Sequence, residues 1–251
     1  RMGQEEQRLS LERMDASLLT KEKGERGRSL LDLPNARDGE VVMRFAPGPS
    51  GPLHIGHSRV AILNDEYVKR YGGTFITRME DTNPEKIDPE AYRAIPEDLD
   101  WLGVNVHQTV MQSDRFEIYY EVARQLINMG KAYVCFCDVE DWRSLKGECR
   151  SCPHREVEVE THLEEFENMV NGHYSEGEAV LVVKTDLEHP KPAIRDFIGL
   201  RIVDHPHPRT GDRYRAYPMM NLSVAVDDHY LGLTHVLRGK DHLNNTLRQE
   251  Y

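Results

Sequence analysis

Hydrophobic and polar residues between positions 39 and 111 follow the periods of alternating strands and helices. Val41-Val42-Met43 is an apolar run typical of a buried strand, and Thr74–Met79 has the alternation of a second strand. Between them, residues 58–70 place apolar side chains at helical spacing, and Ala91–Leu102 predicts a further helix despite an internal proline. A strand, a helix and a strand with short links form a βαβ unit, so this part is predicted to contain a parallel sheet.

The pattern becomes mixed between residues 112 and 214. The predicted elements there are a helix over Arg115–Met129, a strand over Tyr133–Phe136, a helix over Glu164–Val170, and strands over Ala179–Lys184 and Arg201–Val203. We interpret this segment as an inserted α+β domain with its own core. The first pattern resumes in residues 215–251, where a helix over Met219–Ala225 and a strand over Thr234–Leu237 are predicted.

Residues 1–38 precede the predicted sheet and are highly charged. Apolar side chains at loose helical spacing predict a helix there, namely Leu9, Leu11, Met14, Leu18 and Leu19. Gly24 and Gly27 interrupt that spacing. We therefore interpret residues 1–38 as a helical extension with a flexible link to the first strand.

Composition limits the classes of partner. The net charge is −11, from 32 lysines and arginines against 43 acidic residues. A protein that coats nucleic acid is basic, so nucleic-acid binding here has to be local. No apolar run approaches the roughly 20 residues of a membrane span, and no signal peptide is visible, so a cytoplasmic protein without membrane contact is predicted. The chain begins with arginine, and we expect a fragment of a longer protein.

The segment from Arg44 to His57 carries the first chemical signal. It joins the predicted first strand to the first helix through a loop rich in glycine and proline. A helix start offers free backbone N–H groups and a positive dipole end, which together favour an anion such as phosphate. His54 and His57, three positions apart, lie where that anion would bind.

A second signal is a cluster of metal-ligand residues in the mixed segment. Its members are Cys135, Cys137, Cys149, Cys152 and His154. In a cytosolic protein such spacing favours a metal over disulfides. The pairs Cys135-x-Cys137 and Cys152-x-His154 suit tetrahedral, structural zinc. Cys149-x-x-Cys152 is an alternative pairing, so the fourth ligand is His154 or Cys149; four reduced cysteines without metal are the other possibility.

Four separated motifs, taken together, resemble a known family. They are His54-Ile55-Gly56-His57, Arg78–Pro84, Tyr217–Asn221 and Leu237–Asp241. The first resembles the signature of class I aminoacyl-tRNA synthetases. With the other three, in this order, the chain from about Pro34 onward is similar to the catalytic part of an archaeal/eukaryotic-like glutamyl-tRNA synthetase, a group that also contains the glutaminyl enzymes. The resemblance implies a Rossmann-like parallel sheet interrupted by an acceptor-binding domain.

The resemblance implies a two-step reaction. The α-carboxylate of L-glutamate attacks the α-phosphorus of ATP, with Mg²⁺ expected alongside the nucleotide, and the adenylate then acylates the 3′ end of tRNA. His54 and His57 correspond to residues that donate hydrogen bonds to the ATP phosphates. Gly56, Gly239 and Asp241 also correspond to positions at the ATP.

Seven further residues correspond to the family's glutamate site. They are Arg44, Ala46, Gly48, Glu80, Tyr217, Asn221 and Arg238. The two arginines would bind the side-chain carboxylate, with a hydroxyl added by Tyr217, while Glu80 would bind the α-ammonium and Asn221 would line the pocket. Relatives often carry Glu or Ser where this chain has Gly48, so recognition of the ammonium would rest more on Glu80 and backbone carbonyls.

The resemblance implies that Arg238 distinguishes the two branches of the family, because the glutaminyl branch does not carry arginine at this position. A buried arginine facing a neutral amide is left unpaired, at a cost of about 1–3 kcal/mol, so glutamate is the expected amino acid. The alternatives are a glutaminyl-tRNA synthetase, a paralogue that glutamylates a modified tRNA nucleoside, and a non-catalytic tRNA-binding module. The retained Arg44, Glu80 and both histidines argue against the last.

The inserted segment resembles the acceptor-binding domain, which implies tRNA as a partner. Its basic residues suit contacts with phosphates: Lys184, Lys191, Arg195, Arg201, Arg209, Arg213 and Arg215. The family's Lys-Met-Ser-Lys-like loop and an anticodon-binding domain do not occur in the sequence. We therefore expect weak or no aminoacylation by these 251 residues alone.

Overall fold

Three parallel strands follow one another in the first part of the chain. In the computed structural model, which describes residues 30–251, their order is β1-β2-β3. The elements are β1 (Val42–Phe45), α1 (Ile55–Tyr71), β2 (Thr74–Met79), α2 (Ala91–Trp101) and β3 (Gln108–Met111). Both strand pairs are parallel, as the βαβ pattern predicts. The helix predicted from Leu9 to Leu19 lies outside the described residues.

Local sequence explains where α1 begins and ends. His54 caps the helix, because its side chain accepts a hydrogen bond from the backbone of Gly56. Gly72 ends it with φ +61°, a left-handed conformation that suits glycine. At Gly73 a Cβ atom would lie 2.0 Å from the carbonyl oxygen of Val41, so only glycine allows β1 to approach this turn.

A second, antiparallel sheet has the order β4-β5-β6-β7. Its strands are β4 (Ala132–Cys135), β5 (Val180–Val183), β6 (Phe197–Ile202) and β7 (Ala216–Pro218). The helices of this part are α3 (Phe116–Asn128), α4 (Val139–Gly147), α5 (Val159–Val170), α6 (Met220–Tyr230) and α7 (Leu243–Gln249). β7 extends the sheet past residue 214, while the predicted domain boundaries at 38, 111 and 214 stay predictions.

The largest apolar core joins this sheet to the helices around it. Phe116, Tyr120 and Phe166 are buried between α3, α5 and the strands, and Leu222 and Val226 of α6 belong to the same cluster. The Tyr120 hydroxyl donates to the carbonyl oxygen of Ala216 at 2.6 Å, so its one polar group is satisfied inside the core.

Most predicted elements are confirmed with shifted ends. β2 matches its predicted bounds, whereas α5 begins five residues earlier and β6 four residues earlier than expected. The chain also forms β3, β7, α4 and α7, for which no prediction was made. Each of these is short, and α4 has no buried residue, so the apolar pattern on which the predictions rest is weak there.

The predicted strand over Thr234–Leu237 is wrong. The segment does run beside β1, because the backbone N–H of Thr234 donates to the carbonyl oxygen of Val42 at 3.0 Å. However, the N–H of Val42 donates to the side-chain Oγ1 of Thr234 at 2.9 Å and not to a backbone carbonyl. A strand ladder needs backbone partners in both directions, so pairing stops at this residue.

Across residues 30–251, no helix has both the length and the apolar character that crossing a membrane requires.

Candidate active site

A cavity of about 270 Å³ lies at the carboxyl end of β1, where parallel sheets commonly bind ligands. It brings together residues from four separate segments of the sequence. Those predicted for the site and found in its lining are Arg44, Ala46, Gly48, His57, Glu80, Arg238 and Gly239. With His242, which also lines it, the cavity combines two guanidinium groups, one carboxylate and two imidazoles.

Backbone hydrogen bonds hold the loop that follows β1. The N–H of Glu80 donates to the carbonyl oxygen of Pro47 at 2.9 Å, and that of Asp88 donates to Pro49 at 2.8 Å. The loop after β1 is thus tied to the chain after β2. This connection places Arg44 and Glu80, which are 36 positions apart, beside one cavity.

The start of α1 sets the tautomer of the two histidines in their neutral form. Nδ1 of His54 accepts the N–H of Gly56 at 3.0 Å, and Nδ1 of His57 accepts the N–H of His54 at 3.2 Å. An imidazole nitrogen that accepts carries no proton, so each neutral ring has its proton on Nε2. The rings stack with centroids 3.8 Å apart. Two Nε2–H donors at one helix start suit an anion.

Two features keep this pair in place. Burial, followed by the neighbouring His54, lowers the pKa of His57, which favours its neutral form. At Gly56 a Cβ atom would lie 2.8 Å from Cε1 of His54, so glycine also allows the capping ring to fold over the helix.

Arg78 is the centre of a buried ion network beneath the cavity, and sequence reasoning assigned it no role. Its side chain is fully buried, and it donates to Asp228 at 2.6 Å and to Glu80 at 3.0 Å. Burial acts to lower the pKa of Arg78, but the carboxylates of Glu80 and Asp228 raise it overall. Asp228 also lies 3.5 Å from Nε of Arg44. One carboxylate thus holds both arginines.

The network continues through Asp227, which is fully buried on α6. Asp227 accepts hydrogen bonds from Arg115 at 2.6 Å, from Tyr119 at 2.8 Å and from Gln112 at 2.8 Å. These donors lie before and within α3. Adjacent acidic residues of α6 therefore join the parallel sheet to α3. In the sequence, two successive aspartates in a helix with apolar neighbours are the signal that could have indicated this network.

Arg238 reaches the cavity from the irregular segment after α6. Its Nη1 donates to Oε1 of Gln249 at 2.8 Å, and both residues line the cavity. Burial first, and then the positive charges of Arg78 and Arg238, lower the pKa of Arg44 against the raising effects of Asp228 and Glu80. Two adjacent cations favour an anionic ligand.

The other predicted residues are not in the lining of this cavity. Tyr217 is buried in β7, and burial raises the pKa of its hydroxyl to about 12. Within residues 30–251 that hydroxyl has no hydrogen-bond partner, and neither has Oδ1 of Asn221. Asp241 is exposed beside His242, and His54 lines a separate surface cavity with Ile55.

A larger cavity, of about 750 Å³, lies between α3, α6 and α7 and contains Asn221 and Gln249 in its wall. The larger volume does not make this cavity the better candidate for the active site. The smaller one contains Arg44, Glu80 and Arg238, whose charges complement a ligand with both an anionic and a cationic group.

A separate cluster brings together four of the five predicted metal ligands. The ligand atoms of Cys135, Cys137, Cys152 and His154 all lie within 4.8 Å of one another, and Cys149 is exposed and outside the group. Sγ of Cys135 lies 3.8 Å from Sγ of Cys152, and Sγ of Cys137 lies 3.4 Å from Nδ1 of His154. With Zn–S bonds of about 2.3 Å, a tetrahedral centre separates its sulfurs by about 3.8 Å. The spacing therefore fits zinc.

Several predicted phosphate contacts are engaged within the protein. Arg195 is buried and donates to the carbonyl oxygens of His189, Lys146 and Gly147. Three further arginines form ion pairs with acidic residues: Arg201 with Glu85, Arg209 with Asp114, and Arg215 with Asp204. Arg213 pairs with Glu117 at 3.5 Å but remains two-thirds exposed.

Comparison with known proteins assigns the chain to a family. The family profile "tRNA synthetases class I (E and Q), catalytic domain" matches residues 40–251. The chain belongs to this family. Curated relatives include the glutamate–tRNA ligases of Thermoplasma volcanium, 58% identical over 96% of the chain, and Methanothermobacter marburgensis, 56% identical over 98%. Each match covers 44% of the relative, so this class I synthetase chain spans less than half their length.

Solved structures share the fold at lower identity. A crystal structure of a glutamate tRNA ligase from Elizabethkingia meningosepticum in complex with its amino acid has a TM-score of 0.61 at 23% identity. That match covers 84% of this synthetase chain and 46% of the other. The glutamate–tRNA synthetase of Elizabethkingia anophelis has the same TM-score at 22% identity. The predicted Rossmann-like α/β class is confirmed; the insertion of residues 112–214 stays a prediction.

Proposed function

We propose that this catalytic domain activates L-glutamate with ATP and transfers the glutamyl group to the 3′ end of tRNA. The observation that carries the proposal is the 270 Å³ cavity lined by Arg44, Glu80, Arg238 and His57. Its charges match a substrate with a side-chain carboxylate, an ammonium group and a nearby phosphate. Archaeal relatives at 54–58% identity carry the name glutamate–tRNA ligase, which supports the same reaction.

Each group has a defined task in this proposal. Arg44 and Arg238 bind the side-chain carboxylate, because guanidinium offers paired N–H donors to it. Glu80 accepts from the α-ammonium, with Ala46 and Gly48 beside it in the cavity wall. The buried hydroxyl of Tyr217 and the amide of Asn221 contribute polar groups nearby.

The histidines act on the nucleotide. The Nε2–H groups of His54 and His57 donate to the phosphates of ATP, where charge spreads as the glutamate α-carboxylate attacks the α-phosphorus and pyrophosphate leaves. Gly56, Gly239 and Asp241 line the approach of the nucleotide. Class I synthetases use ATP with Mg²⁺, which binds mainly to the phosphates. Catalysis rests on positioning and charge stabilisation, since no side chain forms a covalent bond with the substrate.

A bound reaction intermediate tests the proposal. The probe is a non-hydrolysable sulfamoyl analogue of glutamyl-adenylate, titrated calorimetrically into the chain, with the glutaminyl analogue as competitor. We expect the glutamyl analogue to bind at least about tenfold more tightly, because an amide leaves guanidinium N–H groups unpaired. Arg44→Met should abolish binding, whereas Arg143→Met, an exposed arginine of α4, should not. Equal binding of both analogues would favour the glutaminyl alternative, and no binding the non-catalytic one.

We further propose that Cys135, Cys137, Cys152 and His154 hold structural zinc, which ties β4 to the turn after α4. The supporting observation is the tetrahedral spacing of the donor atoms. Zinc would also supply the positive charge that three clustered thiolates need, since among them only Cys152 has a lowered pKa, of about 5, chiefly through its hydrogen bond with Cys135.

Metal analysis tests this site. We expect about one zinc per chain, lost in Cys152→Ser and retained in Cys149→Ser. These matched variants lie three positions apart and differ in whether the sulfur belongs to the cluster. Chelation should also lower the melting temperature of the wild-type chain. Zinc retained by Cys152→Ser, or lost from Cys149→Ser, would contradict the proposed ligand set.

We also propose that the segment 112–214 contacts the acceptor stem of tRNA. Because four of the seven predicted basic residues are engaged inside the protein, the proposed phosphate contacts are Lys184, Lys191 and the exposed guanidinium of Arg213. Reversing the charge of Lys191 should weaken tRNA binding and reduce its salt dependence.

A further inference from the structure

We propose that Gln249 positions Arg238 and thereby sets the preference for a carboxylate over an amide in the bound amino acid. Gln249 is the last residue of α7, and its Oε1 accepts Nη1–H of Arg238 at 2.8 Å. Both side chains are partly buried in the lining of the cavity that contains Arg44 and Glu80. The inference rests on the proposed function, because it concerns the glutamate side chain.

The three guanidinium groups at this site are held differently. Arg78 is anchored by the carboxylates of Glu80 and Asp228. Arg44 is anchored by the carboxylate of Asp228. Arg238 is anchored by a neutral amide oxygen, and within residues 30–251 no carboxylate lies within ion-pair distance of it. A long arginine side chain needs an anchor to keep its plane fixed.

The neutral anchor has a functional consequence. A carboxylate at position 249 would neutralise Arg238 and compete with the substrate for its N–H groups. An amide oxygen fixes one N–H and leaves the full positive charge for the ligand. Gln249 therefore keeps Arg238 both oriented and available.

The amide nitrogen of Gln249 suggests a variant that tests this inference. Nε2 of Gln249 is buried and has no hydrogen-bond partner in the described part of the chain. Replacing Gln249 by glutamate removes this unpaired donor, keeps the shape of the side chain and adds an ion pair with Arg238. We expect Gln249→Glu to fold, since its buried carboxylate gains the charge of Arg238 as a partner, and the melting temperature checks that expectation.

The experiment is calorimetric titration of L-glutamate and of L-glutamine into the full chain, with melting temperatures measured in parallel. For Gln249→Glu we expect glutamate binding to weaken by roughly tenfold or more, and glutamine binding to change far less. Gln249→Met removes the acceptor without adding a charge, and we expect a smaller, few-fold loss that is again selective for glutamate. Gln108→Glu, the same substitution on an exposed residue of β3, should leave both affinities at wild-type values.

Each outcome decides the inference. A lower glutamate-to-glutamine preference in Gln249→Glu at an unchanged melting temperature supports it. An unchanged preference, or an equal loss for both amino acids together with a lower melting temperature, contradicts it while the proposed function stands. A wild-type chain with no preference for glutamate would overturn the proposed function and this inference together.

Discussion

At the scale of single residues, the site depends on where the backbone comes close to other atoms. Gly56 leaves room for the ring of His54, and Gly73 leaves room for β1. Gly48 differs from both, because a Cβ atom there would lie 3.7 Å from the carbonyl oxygen of Glu80, an ordinary contact, and its φ is also outside the left-handed region. Its lack of a side chain is therefore not required by the fold.

We predict that Gly48→Ser folds like the wild type and binds glutamate a few-fold more tightly, because a hydroxyl beside Glu80 adds a hydrogen-bonding group to the cavity wall. The unfolding free energy should stay within about 0.5 kcal/mol of the wild-type value. Gly73→Ser is the matched control, and its collision with the carbonyl of Val41 should destabilise the chain severely. Urea unfolding and glutamate titration measure both, and a Gly48→Ser variant that unfolds like Gly73→Ser would contradict this account.

At the scale of elements, α6 connects the two halves of the site through adjacent carboxylates. Asp228 faces the arginines of β1 and β2, while Asp227 faces donors before and within α3. The parallel sheet thus acquires its orientation relative to α3 from polar contacts as well as from apolar packing. Such a network is costly to break because its charges are buried.

We predict that Asp227→Asn lowers the unfolding free energy by about 3–5 kcal/mol, since it leaves Arg115 beside a buried, uncharged partner. Asp212→Asn, the same change at an exposed position, should be within about 0.5 kcal/mol of the wild type. Both values come from urea denaturation. If the two variants were equally stable, the ion network would contribute nothing to joining α6 and α3.

At the scale of the whole molecule, a second buried cluster links the two sheets. Asp81, just after β2, accepts from the backbone and hydroxyl of Ser113 at 2.8 and 2.7 Å and from the hydroxyl of Tyr92 at 2.7 Å. His207, between β6 and β7, contacts the carbonyl oxygen of Asp81 at 2.8 Å through Nε2. The antiparallel sheet is thereby attached to the end of the parallel sheet that carries the site.

We predict that the two sheets of the wild-type chain open with similar free energies. In Asp81→Ala we expect the opening free energies of the two sheets to differ. Removing this carboxylate leaves Ser113 and Tyr92 unsatisfied and loosens the contact with His207. Hydrogen exchange measured by mass spectrometry should then show faster exchange in one sheet than in the other. Asp212→Ala serves as control, and equal protection of both sheets in Asp81→Ala would show that apolar packing alone couples them.

What the sequence by itself determined was the local chemistry: the βαβ unit, the capped helix after His54 and the four motifs of the family. These follow from short-range periodicity and from residue types at fixed spacing. Only the tertiary structure decided that Arg78 and Asp228 hold Arg44, that Gln249 meets Arg238, and that His154, and not Cys149, lies with the other cysteines. Such contacts join residues far apart along the chain, and a single sequence carries no distance between them.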